Sequence, residues 1–168
     1  MKNILFVAFI LFGATIFAQN PVGFDEMAKN MTGKKTPIIT MKDVQKIQEA
    51  NKNIVFLDSR EENEYQTSHL PGAIWVGCDN IDWAKINKLD KNTAVVVYCS
   101  VGYRSGKLTD QLSKKGFNNI QNLYGGLFNW ANNGGTLENN SNQNTQKAHG
   151  YNKTWSKWLN PDRVTIVL

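Results

Sequence analysis

The chain has 168 residues and a mass of 19.0 kDa, room for one ordinary domain and a tail but not for two cores. With 41% hydrophobic and 20% charged residues, it falls among globular proteins, which excludes a polytopic membrane protein, a fibre or a disordered chain. Lys and Arg number 19 against 14 Asp and Glu, a net charge of +5, which suits small anionic substrates; no basic run exceeds two residues, so nucleic-acid binding is not expected.

Met1-Lys2-Asn3 precedes an uncharged, mostly apolar run over 4–18. That run is shorter than the ~20 residues of a spanning helix, and Ala18 supplies the small residue a signal peptidase needs, although Ile16 is bulkier than the ideal. Residues 1–18 are therefore expected to be a cleaved secretory signal. The competing reading is an uncleaved anchor, but no stop-transfer charges follow. The expected location is outside the cytoplasm, in a bacterial periplasm, with no membrane attachment after cleavage. Export places Cys78 and Cys99 in an oxidising compartment, where a free thiol calls for a functional reason.

Residues 19–36 are polar with isolated Phe24, Met27 and Met31 and read as an N-terminal arm or a short helix. Thr40 with Asp43 three residues on makes a weak capping box, and Val44, Ile47 and Ala50 keep helical spacing to about Asn51. Residues 53–58 are a short apolar run ending in an acid, as in a buried parallel strand. A second strand is expected at 73–76, and the strongest at 93–99, where β-branched residues dominate. A helix follows over 103–115, with Leu108 and Leu112 at i, i+4 and Gly116 as C-cap, then a strand at 120–123 and a short helix at 126–131. This alternation over 37–133 predicts an α/β sandwich with a mostly parallel sheet.

Beyond that the composition changes. Six of the eight residues from 139 to 146 are Asn or Gln, so 134–150 is expected to be a linker. In the C-terminal extension, 151–168, Trp155, Trp158 and Leu159 sit at i, i+3, i+4 before Pro161, and 164–168 is strand-like. Two readings stand: a helix and strand docked on the core, or an element that binds a partner.

The chemistry concentrates in Cys99-Ser100-Val101-Gly102-Tyr103-Arg104-Ser105, which follows the strongest strand and opens a helix. A thiol there lies among backbone N–H groups with no intrahelical partner, an anion-binding concavity. Thiolates are the nucleophilic form, and helix N termini or a nearby cation stabilise them. Arg104 is such a cation, with a planar fork suited to an oxyanion. Gly102 allows the positive φ that turns N–H groups inward.

This heptapeptide resembles the active-site loop of the rhodanese-like sulfurtransferases, C-x-x-G-x-R-S in single-domain members. Asp58-Ser59-Arg60, Glu64-Tyr65, His69-Leu70-Pro71-Gly72-Ala73 and Gly125-Gly126 with Trp130 recur in the family's order, so the resemblance spans 37–133. It implies a three-layer sandwich, a central mostly parallel sheet flanked by helices. It also implies a catalytic Cys99, with Ser100, Val101, Gly102, Tyr103 and Arg104 holding substrate. The reaction implied is transfer of a sulfane sulfur from a small anionic donor such as thiosulfate to cyanide or a thiol, through a Cys99 persulfide. A thioredoxin-like protein is a further class of acceptor.

Loop length separates the rivals. Four residues lie between Cys99 and Arg104, whereas phosphatases of the related fold have five, so a phosphatase or arsenate reductase is disfavoured. A non-catalytic, partner-binding module of the same fold is the remaining alternative. Asp58 and Arg60 are expected to organise the loop's surroundings, and His69 to bond backbone in a turn rather than act as a base. Arg104 is expected either to orient the donor or to brace the loop. Two histidines and two distant cysteines have no metal-ligand spacing, so neither metal nor cofactor is expected. Cys78 reads either as a small buried apolar residue or as a thiol that pairs reversibly with Cys99.

Overall fold

The computed structural model describes residues 19–33 and 35–168; the expected signal segment, 1–18, lies outside them. The arm forms helix α1 (Phe24–Met31), which buries Phe24 and Ala28. After β1 (Ile38–Ile39) comes α2 (Met41–Glu49), whose N-cap is Thr40: its hydroxyl oxygen accepts the Asp43 N–H at 3.2 Å and its O–H donates to the Asp43 carboxylate at 2.6 Å. The core continues as β2 (Val55–Asp58), α3 (Glu62–Thr67), β3 (Ile74–Trp75), α4 (Trp83–Ile86), β4 (Val95–Tyr98), α5 (Tyr103–Lys114), β5 (Ile120–Leu123) and α6 (Gly126–Asn132). Helix α3 carries no apolar stripe to announce it. It forms because the Glu64 carboxylate reaches back to accept the Glu61 N–H at 3.0 Å, satisfying a donor at the helix start.

Five strands make one sheet in the order β1-β5-β4-β2-β3, with every neighbouring pair parallel. Side chains alternate across it. Leu57, Val95 and Val97 pack with Leu108 and Leu112 of α5 on one face, while Phe56, Val96 and Tyr98 pack with Phe128 and Trp130 on the other. All of β4 is buried, as expected of a central parallel strand covered on both faces. The C-terminal end of that strand is therefore the centre of the sheet's upper edge, where ligands bind in open α/β sheets.

The segment expected to be a linker is instead built into the fold. Strand β6 (Leu137–Glu138) pairs antiparallel with β7 (Asn144–Thr145), and Glu138 exchanges two backbone bonds with His69, at 2.8 and 2.9 Å. Asparagine composition misleads here because the Asn139 side chain closes the turn, its Oδ1 accepting the Ser141 and Gln143 N–H groups at 2.9 and 3.1 Å. Strand β8 (Lys147–His149) then pairs in parallel with β9 (Thr165–Val167), around helix α7 (Lys153–Ser156). Leu137, Ala148, Leu159 and Val164 enter the same core cluster as α1 and α6. Trp158 meets Phe24 edge-on at 6.2 Å. Arm and extension thus cover one face of the sheet together. No helix among the described residues is long and apolar enough to cross a membrane.

Candidate active site

Cys99 leaves the end of β4 and is only 1% exposed, yet its sulfur faces the loop. The Gly102 N–H donates to Sγ at 3.2 Å, and the Ser105 hydroxyl lies 3.4 Å away. Gly102 is the N-cap of α5 at φ +103, a conformation that favours glycine, and no side chain caps the helix. The first-turn amides of α5 are thus left without an intrahelical partner beside the sulfur.

Two neighbouring elements hold the loop in this shape. At the start of α6, the Leu127 and Phe128 N–H groups donate to the Cys99 and Ser100 carbonyls at 2.8 and 3.0 Å, which engages the loop's carbonyls and leaves its amides to the sulfur. That approach requires Gly126: a Cβ there would lie 2.3 Å from the Cys99 oxygen, and the residue has φ +56. From β5, Asn122 donates to the Gly102 carbonyl at 2.8 Å and accepts from the Ser105 hydroxyl at 2.7 Å. Ser105 has one proton for two acceptors, so its bond to Asn122 competes with its bond to the sulfur.

Arg104 is turned inward. Its guanidinium donates to Glu64 through two nitrogens, at 2.7 and 2.8 Å, and to the Ser100 hydroxyl oxygen at 2.8 Å, while the Ser100 O–H donates to the same carboxylate at 2.7 Å. Of the two expectations for this arginine, the bracing one describes its bonds, although one edge still lines the cleft above Cys99. Burial of Glu64 favours its neutral form, but the Arg104 bonds, with Arg60 and Ser100 behind them, hold its carboxyl below the usual range. Burial also works against the Arg104 charge, and Glu64 together with the neighbouring Cys99 more than offsets it, so the guanidinium stays protonated.

The remaining sequence candidates separate cleanly. Asp58 and Arg60 form a fully buried ion pair at 2.7 Å, with the arginine also donating to the Ser68 carbonyl. The His69 Nδ1–H donates to the Tyr65 carbonyl at 3.0 Å and its ring stacks on Tyr65 at 4.0 Å; it does not line the cleft. Cys78 and Cys99 are both free thiols, and burial, outweighing the nearby Arg104, pushes the Cys78 thiol up to about 11.

The cleft over the sulfur has a volume of about 250 Å³. Cys99, Ser100 and Val101 form its floor, Tyr103 and Arg104 one rim, and Met31 of α1 with Tyr151 and Trp155 of the extension the facing wall. Every predicted site residue except Gly102, which acts from beneath through its N–H and its φ, lines this space. Sequence reasoning missed four contributors. Glu64 appeared there only as a landmark beside Tyr65, Met31 and Tyr151 lie in segments with no local sign of a catalytic site, and Trp155 was singled out only for docking on the core or binding a partner.

Residues 40–133 match the family described as the rhodanese-like domain. The chain belongs to that family. A thiosulfate sulfurtransferase from Pseudomonas aeruginosa has a crystal structure similar to this one, with TM-score 0.57 and 31% identity over 72% of this chain and 23% of that one. A rhodanese-like domain protein from Staphylococcus aureus gives TM-score 0.54 and 25% identity, over 61% of this chain and 97% of that one. Among curated relatives, a candidate sulfur carrier protein, YrkF, of Bacillus subtilis (strain 168) is 26% identical over 94 residues, 56% of this chain and 50% of that protein. A tRNA uridine(34) hydroxylase of Acholeplasma laidlawii is 35% identical over 91 residues, 51% of this chain. This rhodanese-like chain spans half of the first relative and 28% of the second.

Proposed function

We propose that the protein is a sulfurtransferase that moves a sulfane sulfur from an anionic donor to cyanide or a thiol through a persulfide on Cys99. The observation that carries the reading is the Cys99 sulfur at the floor of a cleft, receiving the Gly102 N–H at 3.2 Å beside an uncapped helix start. In the first half-reaction the thiolate attacks the outer sulfur of thiosulfate; the S–S bond of the donor breaks, and its electron pair leaves with sulfite. The loop amides meet the terminal persulfide sulfur and the charge that develops on it, as an oxyanion hole does. In the second half-reaction cyanide takes that sulfur as thiocyanate and returns the thiolate.

Arg104, paired with Glu64 and Ser100, keeps the loop closed around the sulfur. The four-residue gap between Cys99 and Arg104 favours a sulfur over a phosphoryl group. The test is turnover: the protein is expected to form thiocyanate from thiosulfate and cyanide, and to leave an aryl phosphate intact. Phosphate release without thiocyanate would replace the reading with a phosphatase.

We further propose export, on the apolar 4–18 run that follows Lys2. Amino-terminal sequencing of the protein from a bacterial envelope fraction is expected to begin at Gln19; an intact Met1 in a cytoplasmic fraction would contradict it.

A further inference from the structure

The wall of the cleft that faces Cys99 is not made by the family segment. Met31 precedes residue 40, and Tyr151 and Trp155 follow residue 133. Both flanking segments are anchored, since Phe24, Ala28, Leu159 and Val164 are buried in one cluster, so these side chains are held in place. Tyr151 is fixed further at φ +64 by its N–H bond to His149 Nδ1 at 3.0 Å, and its ring lies 5.1 Å from the Arg104 guanidinium carbon.

The resulting space is two-sided. One side is the amide floor, which takes a single anionic sulfur. The other is a thioether and two aromatic rings. About 250 Å³ corresponds to the share of about eight waters at ~30 Å³ each, so a lone tetrahedral anion leaves part of it unfilled. The charge balance points the same way. Arg104 is already paired with Glu64, and Lys107 lies outside, 4.3 Å from the centre of the Tyr103 ring. A dianion entering here would lose water against apolar walls, and among the described residues that line the cleft no unpaired cation offsets its second charge. A monoanion with an apolar stem would place its charge on the amides and its stem on Met31, Tyr151 and Trp155.

We infer that the two flanking segments make this a site for small organic sulfane donors, monoanions with an apolar stem such as aryl thiosulfonates, in preference to inorganic thiosulfate. The inference rests on the sulfurtransferase reading and names its substrate class. With benzenethiosulfonate, the Cys99 thiolate attacks the terminal sulfur, a Cys99 S–S bond forms, the donor's sulfur–sulfur bond breaks, and benzenesulfinate leaves with the electron pair. Charge is conserved at two negative units on each side. Tyr151, Trp155 and Met31 are then specificity-determining residues.

The test is the ratio of kcat/KM for benzenethiosulfonate to that for thiosulfate, with cyanide as acceptor, in the wild-type chain and in Trp155→Ala and Tyr151→Ala. Because both donors are measured on one preparation, any misfolded fraction cancels from the ratio, and Tyr151, 47% exposed, is a second variant with little packing to lose. The wild-type ratio is expected to exceed one by about tenfold, the effect of about 1.4 kcal/mol, and to fall about fivefold or more in each variant. A wild-type ratio at or below one, or a ratio that neither variant moves, overturns the inference and leaves the sulfurtransferase reading standing. No transfer from either donor overturns that reading itself.

Discussion

Cys99→Ser is expected to lower thiocyanate formation by about 10⁴-fold or more, the scale seen when a covalent nucleophile is removed, while the fold and its thermal midpoint change little. Serine is close in size, and the Sγ position receives the Gly102 N–H at 3.2 Å, a bond that a hydroxyl oxygen also accepts. The expected loss is therefore chemical rather than structural. Cys78 cannot substitute: burial, against the pull of Arg104, pushes its thiol up to about 11, leaving it protonated at neutral pH. Turnover of Cys99→Ser within tenfold of wild type, measured as thiocyanate released per protein, would remove the persulfide from the mechanism.

The second large effect is on stability. Glu64→Ala strips acceptors from Arg104 at two nitrogens, from the Ser100 hydroxyl and from the Glu61 N–H. It leaves a guanidinium largely out of water without its carboxylate, which costs about 3–5 kcal/mol for a buried pair broken on one side. The chemical-denaturation midpoint should fall accordingly, and turnover with it, because Arg104 and Ser100 belong to the loop that surrounds the sulfur. The same carboxylate gives a sign for pH. Glu64 is held below the usual range in the folded chain, so its stabilisation is complete above the unfolded value of about 4.3 and is lost as pH falls through the folded one. Acid should destabilise the wild type more steeply than Glu64→Ala. A variant as stable as wild type, with an unchanged acid profile, would mean that this cluster does not hold the loop.

How much of this was readable beforehand depends on the range of the interactions. The central strand, the helix behind it and the loop between them are written within residues 93–115: β-branched residues, then Cys99 to Ser105, then Leu108 and Leu112. Local signals suffice there, and the parallel α/β sheet followed. Glu64 was not recognised because its partners, Ser100 and Arg104, lie 36 and 40 positions away, and no pattern inside α3 marks a glutamate as buried. The Asn-rich stretch failed for a different reason. Its composition reports the lack of an apolar stripe, whereas its order comes from an asparagine side chain closing a turn and from backbone bonds to His69. Trp155 was visible as part of an apolar spacing, but spacing cannot tell which surface an aromatic ring meets. Here Trp158 meets Phe24 in the core, while Trp155 faces the cleft.

The two segments outside the family match also account for how a short domain acquires a defined pocket. Residues 40–133 supply the sheet, the loop and its brace; among the described residues that line the cleft, those of this segment all belong to the loop, and the far side is left to other segments. The arm and the extension close that side with three large side chains, and they do so by sharing one core cluster with α6, the helix that also holds the Cys99 carbonyl. Packing and the reactive loop are thus connected through a single element.

The most direct test is the mass of the protein after brief exposure to thiosulfate or benzenethiosulfonate and removal of the donor. One sulfur atom should be gained per chain, mapped by peptide fragmentation to Cys99, and lost on addition of cyanide with an equal amount of thiocyanate released. A chain that gains no sulfur from either donor, or that carries it on Cys78, would contradict the account.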